Sequence, residues 1–346
     1  MRDRCDVLLT QLIGRSTGVT DEQVAALVLE HYGITARLSR LTGERDENFK
    51  LTTPSGAEYV LKIAPACESP AATELQTAAL LHLERVDPRI PCPRVLRTRE
   101  GGASIRLRDA HGADRSAHVL TYLRGRLLCE AIPTNAQREA CGRLAGRLAR
   151  ALSGFEHPGA HRAILWDLRN VGTLSGMLDD LPMFPCRPLA GEFLAAALPR
   201  VAESLDGARQ QIVHNDLNRR NLLIDPAAES QVTGVIDFGD MLYTALIADV
   251  AVGCAELIPP ECLEIAPAVE CCEAFLRGYQ ECMPLLKKEI ELVTPLVAVR
   301  RFMNVVVNEW YVRNNPHSRH TAAQEPQVMR TEIEFALKLL RRYVAP

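Results

Sequence analysis

Two short stretches of the chain set oxygen-bearing side chains at the ends of apolar runs. The first, His214-Asn215-Asp216-Leu217-Asn218-Arg219-Arg220-Asn221, follows Gln211-Ile212-Val213 and leads into Leu222-Leu223-Ile224. The second, Ile236-Asp237-Phe238-Gly239-Asp240, closes the β-type run that begins at Val232. Apolar strands that end in acids gather those acids on one rim of a core. Phosphoryl transfer with magnesium needs such a rim: one carboxylate accepts a hydroxyl proton, and an Asp and an Asn hold the metal. D-x-x-x-x-N alone is a weak signal, but the two stretches in this order, one hairpin apart, are specific.

A lysine and a glutamate pose a matching puzzle upstream. Lys62 interrupts the strand Tyr59-Val60-Leu61-Lys62-Ile63-Ala64, and Glu74 shares a helical face with Ala71, Leu75, Ala78 and Leu81. An unpaired charge at either place would be costly, so the two are expected to pair and to aim an ammonium at the phosphates of a nucleotide. The segment from Leu41 to Lys50 has one glycine, Gly43. Its following amides could form an anion-binding nest, to which Arg45 could add charge.

The elements that must position these groups are readable from periodicity and punctuation. Residues 6–32 read as helical, 34–41, 48–53 and 58–64 as strands, and Ser69-Pro70 as the start of a helix to about Leu83. Strands at 103–108 and 117–122 complete a five-stranded sheet. Beyond Leu123-Arg124-Gly125 the pattern turns helical, over 135–153, 188–206, 246–258, 265–280, 288–314 and 326–343. The expectation is an α+β, bilobal, protein-kinase-like fold. A small β-rich lobe with its nucleotide-gripping helix would occupy 1–123, and a larger helical lobe 124–346.

Composition narrows the class. With 47% hydrophobic and 24% charged residues in 346, the chain is an ordinary globular protein with length for a large core. A net charge of −3 and no basic tract argue against nucleic acid, and no apolar run is long enough to span a membrane. Met1-Arg2-Asp3-Arg4 is not followed by the apolar stretch of a signal peptide. The eleven cysteines contain no C-x-x-C pair and sit mostly among apolar residues, which fits reduced thiols and a cytoplasmic protein.

With these pieces placed, the chain resembles the aminoglycoside phosphotransferase / choline kinase superfamily, and within it the hydroxylysine kinases and related bacterial phosphotransferase domains. The resemblance is carried by Gly43-Glu44-Arg45-Asp46-Glu47-Asn48-Phe49, Tyr59-Val60-Leu61-Lys62-Ile63, Glu74-Leu75-Gln76-Thr77, Leu120-Thr121-Tyr122-Leu123-Arg124-Gly125, Leu165-Trp166-Asp167-Leu168-Arg169-Asn170 and Ile236-Asp237-Phe238-Gly239-Asp240-Met241. It covers about residues 35–255. It implies ATP or GTP as phosphate donor, Mg2+ as metal, and a small hydroxylated amine or amino acid as acceptor, 5-hydroxylysine first. Choline, ethanolamine, homoserine or an aminoglycoside are the alternatives within the superfamily, and a nucleotide-binding pseudokinase scaffold is the alternative outside enzymes.

The resemblance also assigns roles. Asp216 becomes the base, Asn221 and Asp237 the metal ligands, Lys62 and Glu74 the phosphate grip, and Thr121, Tyr122 and Leu123 the border of the nucleotide base. His214 would brace its loop and Asp249 would be structural. Asp240, Trp166, Asp167 and Trp310 are candidates for holding an ammonium group, and Arg219 for an acceptor carboxylate or a phosphate. Asn215 stands where hydroxylysine kinases usually carry Gly, and the Arg219-Arg220 pair is more basic than usual. These departures leave the acceptor open.

Overall fold

The computed structural model describes residue 8 and residues 18–43, 45–228, 231–315 and 323–344. Of the expected first helical segment, 6–32, residues 6, 7 and 9–17 lie outside that set; a helix covers Asp21–Tyr32 (α1). Thr20 and Gln23 form a capping box at its start, and Gly33 closes it in the left-handed region at φ 69°.

Six antiparallel strands follow: Arg37–Leu41 (β1), Glu47–Thr52 (β2), Glu58–Ile63 (β3), Val95–Leu96 (β4), Ile105–Arg108 (β5) and Asp114–Thr121 (β6). Their order is β1-β2-β3-β6-β4, with β5 also on β6. The sheet thus has one strand more than expected. Val95–Leu96 pairs with Leu120 and Val119 but is too short to show alternation in sequence. Phe49, Leu51, Leu61, Ile63 and Val119 are buried on one face, where Val24 and Val28 of α1 cover them.

The helix Pro70–Val86 (α2) has Pro at its first turn and Ser69 as N-cap. Its apolar residues Leu75, Ala79, Leu80 and Leu83 join the core of the helical region rather than that of the sheet. That choice of partner fixes which face of α2 is buried, with consequences for Glu74 described below.

The remainder is mainly helical: Asn135–Ala151 (α3), Leu174–Asp179 (α4), Arg187–Asp206 (α5), Leu246–Leu257 (α6), Ile265–Cys282 (α7), Lys287–Asn314 (α8) and Pro326–Val344 (α9). The six expected helices fall on α3 and α5–α9. Glycines let α3 and α7 touch backbone to backbone. A Cβ on Gly142 would lie 2.0 Å from the Phe275 carbonyl oxygen, and one on Gly278 1.9 Å from that of Glu139. No helix among the described residues is long and apolar enough to cross a membrane. The ten described cysteines are unpaired, with Cys67 and Cys129 exposed.

Short strands carry the two chemical stretches. Gln210–Val213 (β8) pairs with Leu242–Ala245 (β11). Leu222–Ile224 (β9) lies between Val232–Val235 (β10) and Arg126–Leu127 (β7). The 214–221 loop joins β8 to β9, and residues 236–241 join β10 to β11, so both loops leave adjoining ends of the same small ladders.

Candidate active site

The 214–221 loop is locked from below by buried polar groups. Asn215 takes φ 65°, a left-handed conformation that Asn tolerates better than most residues. Its N–H donates to Asp249 Oδ1 at 2.6 Å, and Asp249 is buried in α6. His214 is fully buried; its Nδ1 accepts from the Asp216 N–H at 3.3 Å, which leaves Nε2 to donate to the Ile236 carbonyl at 3.2 Å. Burial holds this imidazole neutral, with its pKa lowered to about 4. One histidine therefore ties the 214–221 loop to the strand that delivers Asp237.

The Asp216 carboxylate is oriented by amides of its own loop. Asn218 Nδ2 donates to Oδ1 at 2.8 Å, and Asn221 Nδ2 donates to Oδ2 at 2.6 Å. Arg300 Nη2, from the middle of α8, lies 3.4 Å from Oδ1. Burial and the neighbouring Asp240 raise the pKa of Asp216 to about 7, against the pull of Arg300. A carboxyl poised near neutrality can take a proton and give it up again.

Asp237 also adopts a left-handed backbone, φ 62°. Its Oδ1 accepts from Lys62 Nζ at 2.8 Å and from the Gly239 N–H at 3.2 Å. Burial would raise its pKa, but Lys62, with Arg45 nearby, outweighs that and holds the carboxyl well below the usual range. Because Asn221 spends its amide nitrogen on Asp216, its carbonyl oxygen is left as an acceptor, and Asp237 Oδ2 is likewise uncommitted among the described residues. Hard oxygens in such small number suit magnesium, which keeps waters and substrate phosphates as its other ligands. Among the described residues no group of three or more His, Cys, Asp and Glu side chains is arranged to hold a metal.

Lys62 is buried on β3, in register with Asn48 on β2 and His118 on β6. Its ion-pair partners among the described residues are Asp237 and, at 3.2 Å, Asp46. Glu74, the partner expected from sequence, is exposed. The reason is the packing of α2: its buried face runs through Ala72, Leu75, Gln76, Ala79, Leu80 and Leu83, which turns Glu74 outward. The pairing of Lys62 with Glu74 is therefore corrected to Asp46 and Asp237. Asp46 was missed; its signal was an acid within the turn that precedes β2.

Arg45 and Asp240, expected to serve phosphate and acceptor separately, are joined instead. Arg45 Nη2 lies 2.5 Å from Asp240 Oδ1, and Arg45 Nη1 lies 3.6 Å from Glu68. Glu68 also binds Arg162 at 2.8 Å, and Arg162 donates to the carbonyls of Gly239 and Met241. This chain of charges fastens the 43–46 turn to the 237–241 loop. Glu44 lies outside the described residues; Gly43, beside it, packs closely against Asp46 and Asn48.

At the end of β6, Thr121 and Tyr122 donate their N–H groups to the Arg94 and Glu58 carbonyls. Lys50 sits 3.9 Å above the Tyr122 ring. The Leu123 N–H has no backbone partner among the described residues.

The remaining acceptor candidates separate clearly. Asp167 is buried and spent: it caps a short helical turn through the Arg169 N–H, pairs with Arg169 Nε at 3.0 Å and accepts from Thr244 Oγ1. Trp310 is buried in the main helical core. Neither is placed to meet an acceptor, which corrects the expectation for both. Trp166 does reach the site, with the Arg300 guanidinium stacked 4.5 Å from its ring centroid. Arg219 is half-buried, and its side chain has no ion pair among the described residues. Arg300 and its second partner, Glu256, escaped the sequence reading. Their signal was two arginines, Arg300 and Arg301, breaking the apolar run Leu296 to Met303 of a long helix.

A sheet-topped, helix-based kinase-like fold with these side chains at its junction has known counterparts. The Phosphotransferase enzyme family profile matches residues 37–285, and the chain belongs to that family. Hydroxylysine kinase of Mus musculus is 28% identical over 323 residues, covering 87% of this chain and 84% of that protein. Among solved structures, amicoumacin kinase hAmiN in complex with AMP-PNP, Ca2+ and Ami superposes with a TM-score of 0.67 at 15% identity, covering 94% of each chain. The microcompartment-associated aminopropanol kinase gives 0.64 at 18% identity, over 94% of this chain and 98% of that one. The protein is a small-molecule kinase that acts on a hydroxyl group.

Proposed function

We propose that this kinase transfers the γ-phosphoryl group of ATP or GTP to the hydroxyl of a small amino acid, with 5-hydroxylysine as the acceptor that its mouse relative's name supports. One observation carries the assignment of roles. A carboxylate oriented by Asn218 and Asn221 faces a separate Lys62–Asp237 pair, and His214 ties the two loops together.

In this reading the acceptor oxygen attacks the γ-phosphorus in line, the bond from phosphorus to the β–γ bridging oxygen breaks, and the nucleoside diphosphate leaves. The hydroxyl proton passes to Asp216, whose raised pKa suits it to accept. Asn221 through its carbonyl oxygen and Asp237 through its carboxylate would hold Mg2+, which supplies neutralising charge to the phosphates when bound. Lys62, placed against Asp237, steers the phosphates, and the Leu123 N–H faces the nucleotide base. Positioning and electrostatics supply the rate, since the protein forms no covalent intermediate. The free thiols suit a cytoplasmic setting.

The test is a coupled nucleoside-diphosphate assay over hydroxylated amino acids and amines, with ATP and GTP in turn. Asp216→Asn should lower kcat by about 10²- to 10⁴-fold and leave nucleotide affinity in place. Near-normal turnover by Asp216→Asn would refute the base assignment.

A further inference from the structure

Arg300 leads from Asp216 into a second feature. Its Nε donates to Glu256 Oε1 at 2.9 Å, and Glu256 lines a cavity of about 140 Å³ with Arg219 of the 214–221 loop, Arg301 and Asn304 of α8, Gln324 and Glu332. We infer that this cavity seats the charged head of the acceptor and selects a zwitterion, an α-amino acid whose hydroxyl lies several bonds from its α-carbon. The inference rests on the reading of the 214–221 loop as the phosphoryl-transfer site.

The bonding left unmade in the cavity has both polarities. Glu332 is spent on Arg301, at 2.8 Å. Glu256 Oε1 takes Arg300 and Asn304 Nδ2, while Oε2 has no hydrogen bond among the described residues. Arg219 has no ion pair among them either. Among the described residues, two buried atoms of the lining lack a hydrogen-bond partner, the donor Arg301 Nε and the acceptor Gln324 Oε1, as does Nη1 of Arg300, which lies behind Glu256. Arg300 and Arg301 are themselves 4% and 6% exposed. Buried polar atoms are nearly always paired, so two orphans on the lining itself, Arg301 Nε and Gln324 Oε1, beside the uncommitted Glu256 Oε2, mark a place that a ligand completes.

A carboxylate answers the donors. Its two oxygens match the fork of a guanidinium, and Arg219 brings a positive charge that has no ion pair among the described residues. An ammonium answers the acceptors, Glu256 Oε2 and Gln324 Oε1. A polycationic acceptor would confront the arginines with like charge, and an acceptor lacking nitrogen would leave the glutamate and glutamine oxygens unused. The volume is close to that of cavities that hold a ring of six carbon atoms. It therefore accepts an α-carbon with its two charged groups and a short stretch of methylenes, and Arg300, bonded to both Glu256 and Asp216, marks the direction of the hydroxyl-bearing end.

The probes are DL-5-hydroxylysine and the diamine that remains when its carboxyl group is removed, assayed on the full chain and on Arg219→Gln and Gln324→Leu. The native protein should prefer the amino acid by about tenfold to hundredfold in kcat/KM, through KM. Arg219→Gln should erase most of that preference, and Gln324→Leu should weaken both probes alike. Equal use of the two probes by the native protein, or full discrimination by Arg219→Gln, overturns the inference while leaving the kinase reading intact. If neither probe is phosphorylated, calorimetric titration decides. Binding of hydroxylysine that disappears in Arg219→Gln supports the cavity and counts against the transfer assignment; no binding of hydroxylysine overturns the cavity.

Discussion

The Arg300 guanidinium lies 3.4 Å from the Asp216 carboxylate and is stacked on Trp166. A single cation from α8 thus fixes where one face of the proposed base can point, and Glu256 fixes the cation in turn. Arg300→Met should strand Glu256 as an uncompensated buried charge, costing about 3–5 kcal/mol of stability. Adding Glu256→Gln should recover part of that loss without restoring kcat. Thermal melts and steady-state kinetics on the single and double variants separate the two effects. Full activity in the double variant would remove Arg300 from the site's machinery.

A second buried ion pair braces the strand ends beside Asp46 and Lys62, and its loss should register first in stability. Glu47 at the start of β2 meets Arg115 of β6 at 2.5 Å, and Arg115 also donates to the Ala64 and Ile63 carbonyls. Both side chains are less than a tenth exposed. Arg115→Met leaves Glu47 with the half-exposed Arg40, 3.3 Å from its Oε2, and should destabilise the fold by about 1–3 kcal/mol, a loss that Glu47→Gln should reduce. Denaturant unfolding of the three variants measures the coupling. A single-variant loss below about 1 kcal/mol would contradict the picture of a closed, water-poor pair.

Gly43 controls the turn that carries Arg45 and Asp46. A Cβ there would lie 2.5 Å from both the Asp46 carbonyl oxygen and Asn48 Nδ2, so Gly43→Ala must push the turn away from β2. That motion draws Asp46 from Lys62 and Arg45 from Asp240. A cost of about 1 kcal/mol or more follows from overpacking, and a nucleotide KM raised by roughly five- to tenfold. The kinetic measurement is direct, and an unchanged KM would show that the turn plays no part in nucleotide binding.

What could be read from sequence was local. Asp216, Asn221 and Asp237 are set by short apolar strands ending in acids, a pattern complete within some thirty residues. Lys62 stood out because β3 is apolar around it. Glu74 was misplaced because several overlapping stripes of α2 are apolar, and only its docking on the helical core chooses among them. Arg300 and Glu256 meet across forty-four positions, and Arg45 and Asp240 across one hundred and ninety-five. No spacing rule reaches that far. Asp167 and Trp310 looked available because capping and core packing are properties of the folded neighbourhood.

Asp249 gives a pH dependence whose sign can be fixed. It is buried in α6, faces the Asn215 N–H from the 214–221 loop and lies near the Tyr279 hydroxyl of α7, which has no hydrogen-bond partner among the described residues. Burial raises its pKa from 3.8 to about 7, against the pull of the Asn215 amide. Below about pH 4 both folded and unfolded chains hold this proton, and the group costs nothing. As pH rises towards 7 the unfolded chain releases the proton while the folded chain keeps it, so the folded state binds more protons and stability falls. The loss from this group is on the order of 4 kcal/mol once pH exceeds both values. Asp249→Asn keeps an oxygen for the Asn215 N–H and removes the titration. The difference in unfolding free energy between Asp249→Asn and the native protein should therefore grow in favour of the variant between about pH 4 and pH 7 and level off above. Asp216 contributes to both curves and cancels in that difference. A difference that stays flat across this window would show that Asp249 ionises in the folded state as readily as in the unfolded chain.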